Sequence, residues 1–150
     1  MTTDAETIFI DPNILIYATN DESPFQKTAT SVLNQLMTRG IEGVISPQII
    51  REYLVVFTRG DSPDDAARSA ALYNVGKFLE TFTLLNESRE TVTRLKAIVE
   101  NSNIGGKQIH DANIVAVMQE YGIKRLLTHN LDDFKRYGEI EIMNLDMKLR

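Results

Sequence analysis

Thr7-Ile8-Phe9-Ile10-Asp11-Pro12-Asn13 is a short apolar run that ends in a carboxylate and then breaks. Thr, Ile and Phe are strand formers, and a run this short, closed by Asp-Pro, reads as a buried strand. Asn13 to Ala18 is then apolar at helical spacing. Asp11 is therefore expected where a central strand stops and a helix begins. In open α/β sheets, that is where ligands bind. The competing reading of Asp11 is a plain helix N-cap with Pro12 at the first helical position.

Outward from this stretch, strands and helices alternate. Ser23-Pro24 reads as the cap of a helix running to Arg39, with Ala29, Val32, Leu33, Leu36 and Met37 as its apolar stripe and Gly40 as its stop. Gly43 to Ser46 is a second strand, and Ser46-Pro47 opens a helix from about Gln48 to Arg59, closed by Gly60. Ser62-Pro63-Asp64-Asp65 starts a helix to about Glu80 with Ala67, Ala71, Leu72, Val75 and Leu79 as its stripe. Thr81 to Leu85 is a short strand, and Ser88-Arg89-Glu90-Thr91 caps a further helix. Asn101 to Lys107 is a polar loop, Ile109 to Tyr121 a helix ended by Gly122, and Lys124 to Thr128 a strand. A short helix over Leu131 to Tyr137 and a marginal strand over Ile140 to Leu145 complete the chain. Such alternation predicts a parallel sheet covered on both faces. With no repeat or linker in sight, residues 1–150 read as one domain.

Four acids stand out by their company. Besides Asp11, Glu52 has the helical neighbours Ile49, Val55 and Val56, although Glu is rarely buried without a partner. Its alternative is a residue at the edge of the stripe that reaches solvent, or one paired with Arg51 or Arg59. Asp111 shares its face with Ile114, Val115 and Met118, where a first-turn acid would need no such company. Asp133 follows the strand ending in Leu127, with Asp132 as the solvent-facing and Asp133 as the inward candidate. In a parallel sheet the carboxyl ends of the strands share one rim, and several unpaired carboxylates there repel one another. A hard divalent cation resolves the conflict, since Mg²⁺ and Mn²⁺ prefer oxygen ligands. Such a metal activates water and stabilises charge on a phosphodiester. His110 and His129 read as a helix-start residue and a loop residue, not as general bases. Lys107 and Arg125 fall near the inferred rim, where a phosphate contact competes with ordinary solvated surface.

Composition sets further bounds. The chain has 150 residues, enough for a sizeable core, and its net charge of -5 is unlike that of a passive nucleic-acid binder. An acidic protein acts on nucleic acid when its acids gather around cations. The absence of cysteine excludes disulfides and thiolate metal sites and agrees with a cytoplasmic location. Met1 to Glu6 carry no basic region of a signal peptide, and no apolar run approaches the roughly 20 residues of a membrane helix.

Four motifs in order carry a family resemblance: Ile8-Phe9-Ile10-Asp11-Pro12-Asn13-Ile14-Leu15, Ser46-Pro47-Gln48-Ile49-Ile50-Arg51-Glu52-Tyr53, His110-Asp111-Ala112-Asn113-Ile114-Val115-Ala116, and Leu127-Thr128-His129-Asn130 with Asp133-Phe134. Together they span about Thr7 to Ile142. The sequence resembles PIN-domain proteins, most closely the VapC-type toxin ribonucleases of toxin-antitoxin pairs. The resemblance implies a three-layer α/β/α fold with a mainly parallel sheet and Mg²⁺- or Mn²⁺-dependent cleavage of RNA. It implies that Asp11, Glu52, Asp111 and Asp133 hold the metal. Thr128 matches a supporting hydroxyl, and Asn13 a small polar residue near the first Asp. Many members carry the fourth acid two residues after that threonine, where this chain has Asn130; others have Asn there and an Asp three residues later, as Asp133 is here. An antitoxin partner lying over the groove is implied as well. A homodimer is expected from the apolar stripes in Ser62 to Glu80 and Ser88 to Glu100.

Other readings compete. A haloacid-dehalogenase-like phosphotransferase needs an acid where Asn13 stands, and a nucleotide binder needs a glycine-rich loop that Asp11-Pro12-Asn13 does not offer. A binding module that has lost turnover, favoured by Asn130, and a DNA-directed nuclease remain as alternatives.

Overall fold

The computed structural model describes residues 7–59 and 65–146. Its elements run β1 (Thr7–Ile10), α1 (Pro12–Ala18), α2 (Gln26–Thr38), β2 (Glu42–Ile45), α3 (Pro47–Phe57), α4 (Asp65–Thr81), β3 (Thr83–Leu84), α5 (Arg89–Glu100), α6 (Gln108–Tyr121), β4 (Arg125–Leu127), α7 (Leu131–Phe134) and β5 (Glu141–Met143). The five strands form one sheet in the order β3-β2-β1-β4-β5, and every pairing is parallel. Helices flank the sheet, giving the expected three-layer α/β/α architecture. α1 packs on α2 and α3, and α3 also packs on α4. α6 packs on α5 and α7.

β1 is the middle strand, and its Ile8, Phe9 and Ile10 are fully buried. A strand covered on both faces needs a continuous apolar run and not an alternating one, which is what this segment supplies. The order reverses at β1: the chain goes outward through β2 to β3 on one side, then returns to add β4 and β5 on the other. Such a switch point leaves a crevice beyond the carboxyl ends of the strands. β2 packs tightly at Gly43. A Cβ there would lie 2.8 Å from Phe82 Cδ1 and 2.9 Å from Ile10 Cδ1.

Helix termini follow local chemistry. Gly40 and Gly122 adopt φ of +70° and +69°, so both expected stops are the left-handed residues that end α2 and α6. At α5, Ser88 Oγ accepts from the Glu90 N–H at 3.1 Å and Thr91 Oγ1 accepts from the Ser88 N–H at 2.8 Å. Both hydroxyls then donate to Glu120, which clamps α5 to α6.

Two expectations need correction. Ser23 does not cap α2, which begins at Gln26. Its Oγ accepts from the Phe25 N–H and its carbonyl from the Gln26 N–H, so the residue is spent on a turn before the helix. The buried residues of α4 are Ala71 and Phe78, while Leu72 and Leu79 of the expected stripe are half exposed. Phe78 recurs seven residues after Ala71, so the covered face lies to one side of the proposed stripe. The expected helix start at Ser62-Pro63-Asp64 and the stop at Gly60 lie outside the described residues.

Candidate active site

Asp11 is the first residue after β1 and is 3% exposed. Its backbone occupies the N-cap of α1, with Pro12 following and the Ile14 N–H bonded to its carbonyl at 3.1 Å. Its side chain makes no capping bond. Instead, Asp11 Oδ2 accepts from Thr128 Oγ1 at 2.9 Å. The N-cap reading therefore holds for the main chain and fails for the carboxylate.

Thr128 is brought there by the sheet. β4 lies beside β1, and the Asp11 N–H donates to the Leu127 carbonyl at 3.0 Å. On the other side the Thr128 N–H donates to the Met143 carbonyl at 2.9 Å. The Thr128 hydroxyl is fully buried, gives its proton to Asp11, and accepts from the Asn130 N–H at 3.0 Å. Both bonds fix the direction of the hydroxyl, and so of the carboxylate.

Glu52 is half buried on α3, and its Oε2 accepts from Gln48 Nε2 at 2.9 Å. It forms no ion pair with Arg51 or Arg59 among the described residues. Asp111 is half buried in the first turn of α6. Glu52 and Asp111 line a cleft of about 680 Å³ together with Asn13, Arg51, Arg59 and Lys107. Asp133 is exposed and lines a separate hollow with His129 and Asn130, though its charge reaches Asp11 and Asp111. Asp132 pairs with Lys135 at 3.0 Å and lines the same hollow; both acids are exposed, so the expected division into an outward Asp132 and an inward Asp133 is not seen.

The electrostatics join these acids. Burial pushes Asp11 from 3.8 up to about 7; the Thr128 bond opposes the rise, and the charges of Asp111, Glu52 and Asp133 add to it. Asp111 is pushed up to about 6, first by burial, then by Asp133 and Glu52, against the relief given by His110 and Arg136. Among the described residues none of the four acids is in an ion pair. The sheet and helices thus bring Asp11, Glu52, Asp111 and Asp133 into one another's fields. No three acidic or histidine side chains among the described residues stand close enough around one point to hold a metal ion as they lie. The donor chemistry nonetheless suits a hard divalent cation: the donors are carboxylate oxygens, and none of them is tied up in an ion pair among the described residues.

The two histidines are placed differently. His129 packs its ring against Phe25 at 4.4 Å and Tyr17 at 5.8 Å between centroids. His110 is exposed and lines the same cleft, where its charge eases that of Asp111 and its carbonyl accepts from Gln48. Arg125 lies half buried against Met143 and does not line the cleft, whereas Lys107 does. Sequence reasoning missed Gln48, Asn113 and Glu87, which are hydrogen-bonded behind Glu52. The spacing of Gln48 and Glu52, four apart on one helix, was a visible signal for the first of them.

This fold, with acids around the switch-point crevice, defines the class. The chain belongs to the PIN-domain family, whose model matches residues 8–140. Among solved structures it is similar to VapBC2 from Rickettsia felis bound to a DNA fragment from their promoter, with 17% identity over 92% of this chain and 98% of that chain and a TM-score of 0.68. It is also similar to VapC20 from Mycobacterium tuberculosis, a Sarcin-Ricin loop cleaving toxin, with 14% identity over 87% and 95% of the two chains and a TM-score of 0.69. A toxin-antitoxin complex from Klebsiella pneumoniae matches with 22% identity over 89% and 95% and a TM-score of 0.65. At these identities the likeness is one of fold. No curated protein sequence matches the chain.

Proposed function

We propose that this chain is a metal-dependent endoribonuclease, the toxin of a toxin-antitoxin pair, built as one PIN unit. The observation that carries the reading is electrostatic. Burial, and next to it the charges of Glu52 and Asp133, raise the proton affinity of Asp11 and Asp111 around one crevice, and none of the four acids is in an ion pair among the described residues. A site of that charge is in its working state when a cation replaces the protons.

Asp11, Glu52 and Asp111 would hold Mg²⁺ or Mn²⁺, with Asp133 at the margin. When bound, such an ion supplies a more acidic water and neutralises charge on a phosphodiester. The remaining work belongs to the chain. Thr128 holds Asp11 in one orientation through the bond to Oδ2. Asn13 faces the cleft beside the acids, and Lys107, Arg51 and Arg59 line it as contacts for the flanking phosphates. Metal must displace the protons that Asp11 and Asp111 keep up to about 7 and about 6, so affinity rises with pH through that range.

The partner is an antitoxin laid over the cleft, in line with the toxin-antitoxin assemblies that share the fold. A homodimer is supported by apolar side chains left on the surface of α4, where Leu72 is 52% and Tyr73 66% exposed. No helix among the described residues is long and apolar enough to cross a membrane, which suits the cytoplasm as the place of action.

The test is incubation of the purified chain with total cellular RNA in Mg²⁺ or Mn²⁺, beside EDTA and an Asp111→Asn control. Discrete fragments that need both the metal and Asp111 are the expected result. A second reading, a PIN-fold binding module without turnover, draws on the separation of the acids as they lie. Intact RNA in every lane, from folded protein, would favour it. Cleavage of DNA and not RNA would point to a DNA-directed nuclease.

A further inference from the structure

The contact that holds Glu52 in the cleft comes from a residue the chemistry above leaves unused. Gln48 precedes Glu52 by one helical turn on α3 and is 3% exposed. Its Nε2 donates to Glu52 Oε2 at 2.9 Å and to the His110 carbonyl at 2.8 Å. Its Oε1 accepts from Asn113 Nδ2 at 2.7 Å, and that same nitrogen donates to Glu87 Oε1 at 2.7 Å. Chemistry fixes the direction of every bond. A flipped Gln48 amide would aim its oxygen at a carboxylate and a carbonyl, both acceptors. A flipped Asn113 amide would do the same to Glu87 and to Gln48 Oε1.

The network joins helices with different packing partners. α3 packs on α1 and α4, while α6 packs on α5 and α7. Glu52 belongs to the first helix and Asp111 to the second. The His110 carbonyl belongs to the peptide unit that enters Asp111. One buried amide therefore grips the Glu52 side chain with one proton and the backbone before Asp111 with the other.

We propose that Gln48 is the positioning residue of this site, setting Glu52 and the start of α6 relative to each other, with Asn113 and Glu87 as its anchor. Its effect on cation binding rests on the nuclease reading; its effect on α6 rests on the hydrogen bonds alone. Groups that orient metal ligands typically govern about 10- to 100-fold in metal affinity or activity.

Gln48→Met, which keeps length and removes every polar atom, is the test variant. Thr91→Val is the control: it loosens the clamp between α5 and α6 at Glu120, away from the cleft. Two quantities are read for each. The first is hydrogen exchange in EDTA at the Gln108, Ile109 and His110 amides, which bond only within the turn opening α6. The second is Mn²⁺ affinity by calorimetry. Gln48→Met is expected to speed exchange at those amides and to weaken Mn²⁺ about tenfold or more. Thr91→Val is expected to leave Mn²⁺ affinity unchanged at an equal or larger loss of Tm. If Gln48→Met does not fold, Asn113→Leu removes the anchor alone and is read the same way. Wild-type exchange at the three amides, or wild-type Mn²⁺ affinity in a protein whose parent binds the ion, overturns the proposal. If the parent itself binds no Mn²⁺, the nuclease reading falls, and the exchange rates alone decide whether Gln48 sets α6.

Discussion

Asp11→Asn is expected to stabilise the metal-free protein at pH 8 while ending its activity. The fold keeps the Asp11 proton up to about 7, whereas the carboxyl's ordinary value is 3.8. Between those values the folded state binds more protons than the unfolded chain, so stability falls as pH rises. At about 1.36 kcal/mol per pKa unit, ionised Asp11 costs the fold about 4 kcal/mol by pH 8. About 1.5 kcal/mol of that is already lost at pH 5, which leaves a decline of about 2.5 kcal/mol between pH 5 and pH 8. Asparagine does not titrate. Its amide oxygen still accepts from Thr128, but its NH₂ lacks a matching acceptor, which returns about 1–2 kcal/mol. The net gain at pH 8 is then about 2 kcal/mol, a large share of the roughly 5–15 kcal/mol that holds a domain folded. Urea unfolding in EDTA, followed by circular dichroism at pH 5 and pH 8, measures it. Other groups titrate in both proteins, so the difference between the two isolates Asp11. A variant that is less stable than wild type at pH 8, or that declines just as steeply with pH, would refute the account of Asp11 as a buried, repelled carboxylate.

Three further outcomes follow from the same geometry. Thr128→Val removes the bond that holds the Asp11 proton affinity down, so the rising limb of the pH–activity profile moves to higher pH, and the protein loses about 1 kcal/mol in urea unfolding. Asp133→Asn weakens Mn²⁺ binding in calorimetry because its charge reaches both Asp11 and Asp111, while Asp132→Asn, which loses only an exposed pair with Lys135, leaves it unchanged. Gly43→Ala drives a methyl into Phe82 and Ile10 and lowers stability by about 1–3 kcal/mol in the same unfolding assay, with no change in the pH dependence assigned to Asp11.

The fold was legible where one physical signal dominated. Ile8 to Ile10 reads as a buried strand because only a strand covered on both faces uses so short an unbroken apolar run. Gly122 marks the end of α6 because the left-handed conformation favours glycine. α4 was legible as a helix but not in its orientation. Apolar residues occur around much of its circumference, so sequence spacing did not single out the face holding Ala71 and Phe78. At the site, the carboxylates stood out because each sits in apolar company or at a strand end. What spacing does not reveal is how they are held. The Gln48 amide reaches 62 residues along the chain to the His110 carbonyl, a distance over which no periodic pattern runs.

The position of β4 has a consequence for synthesis. β1 gains its first neighbour, β2, early, but the strand on its other flank arrives only with Arg125 to Leu127. The hydroxyl that steadies Asp11 comes one residue later, at Thr128. Until β4 and Thr128 have been made, Asp11 therefore lacks both the strand on its second flank and the hydroxyl that orients its carboxylate.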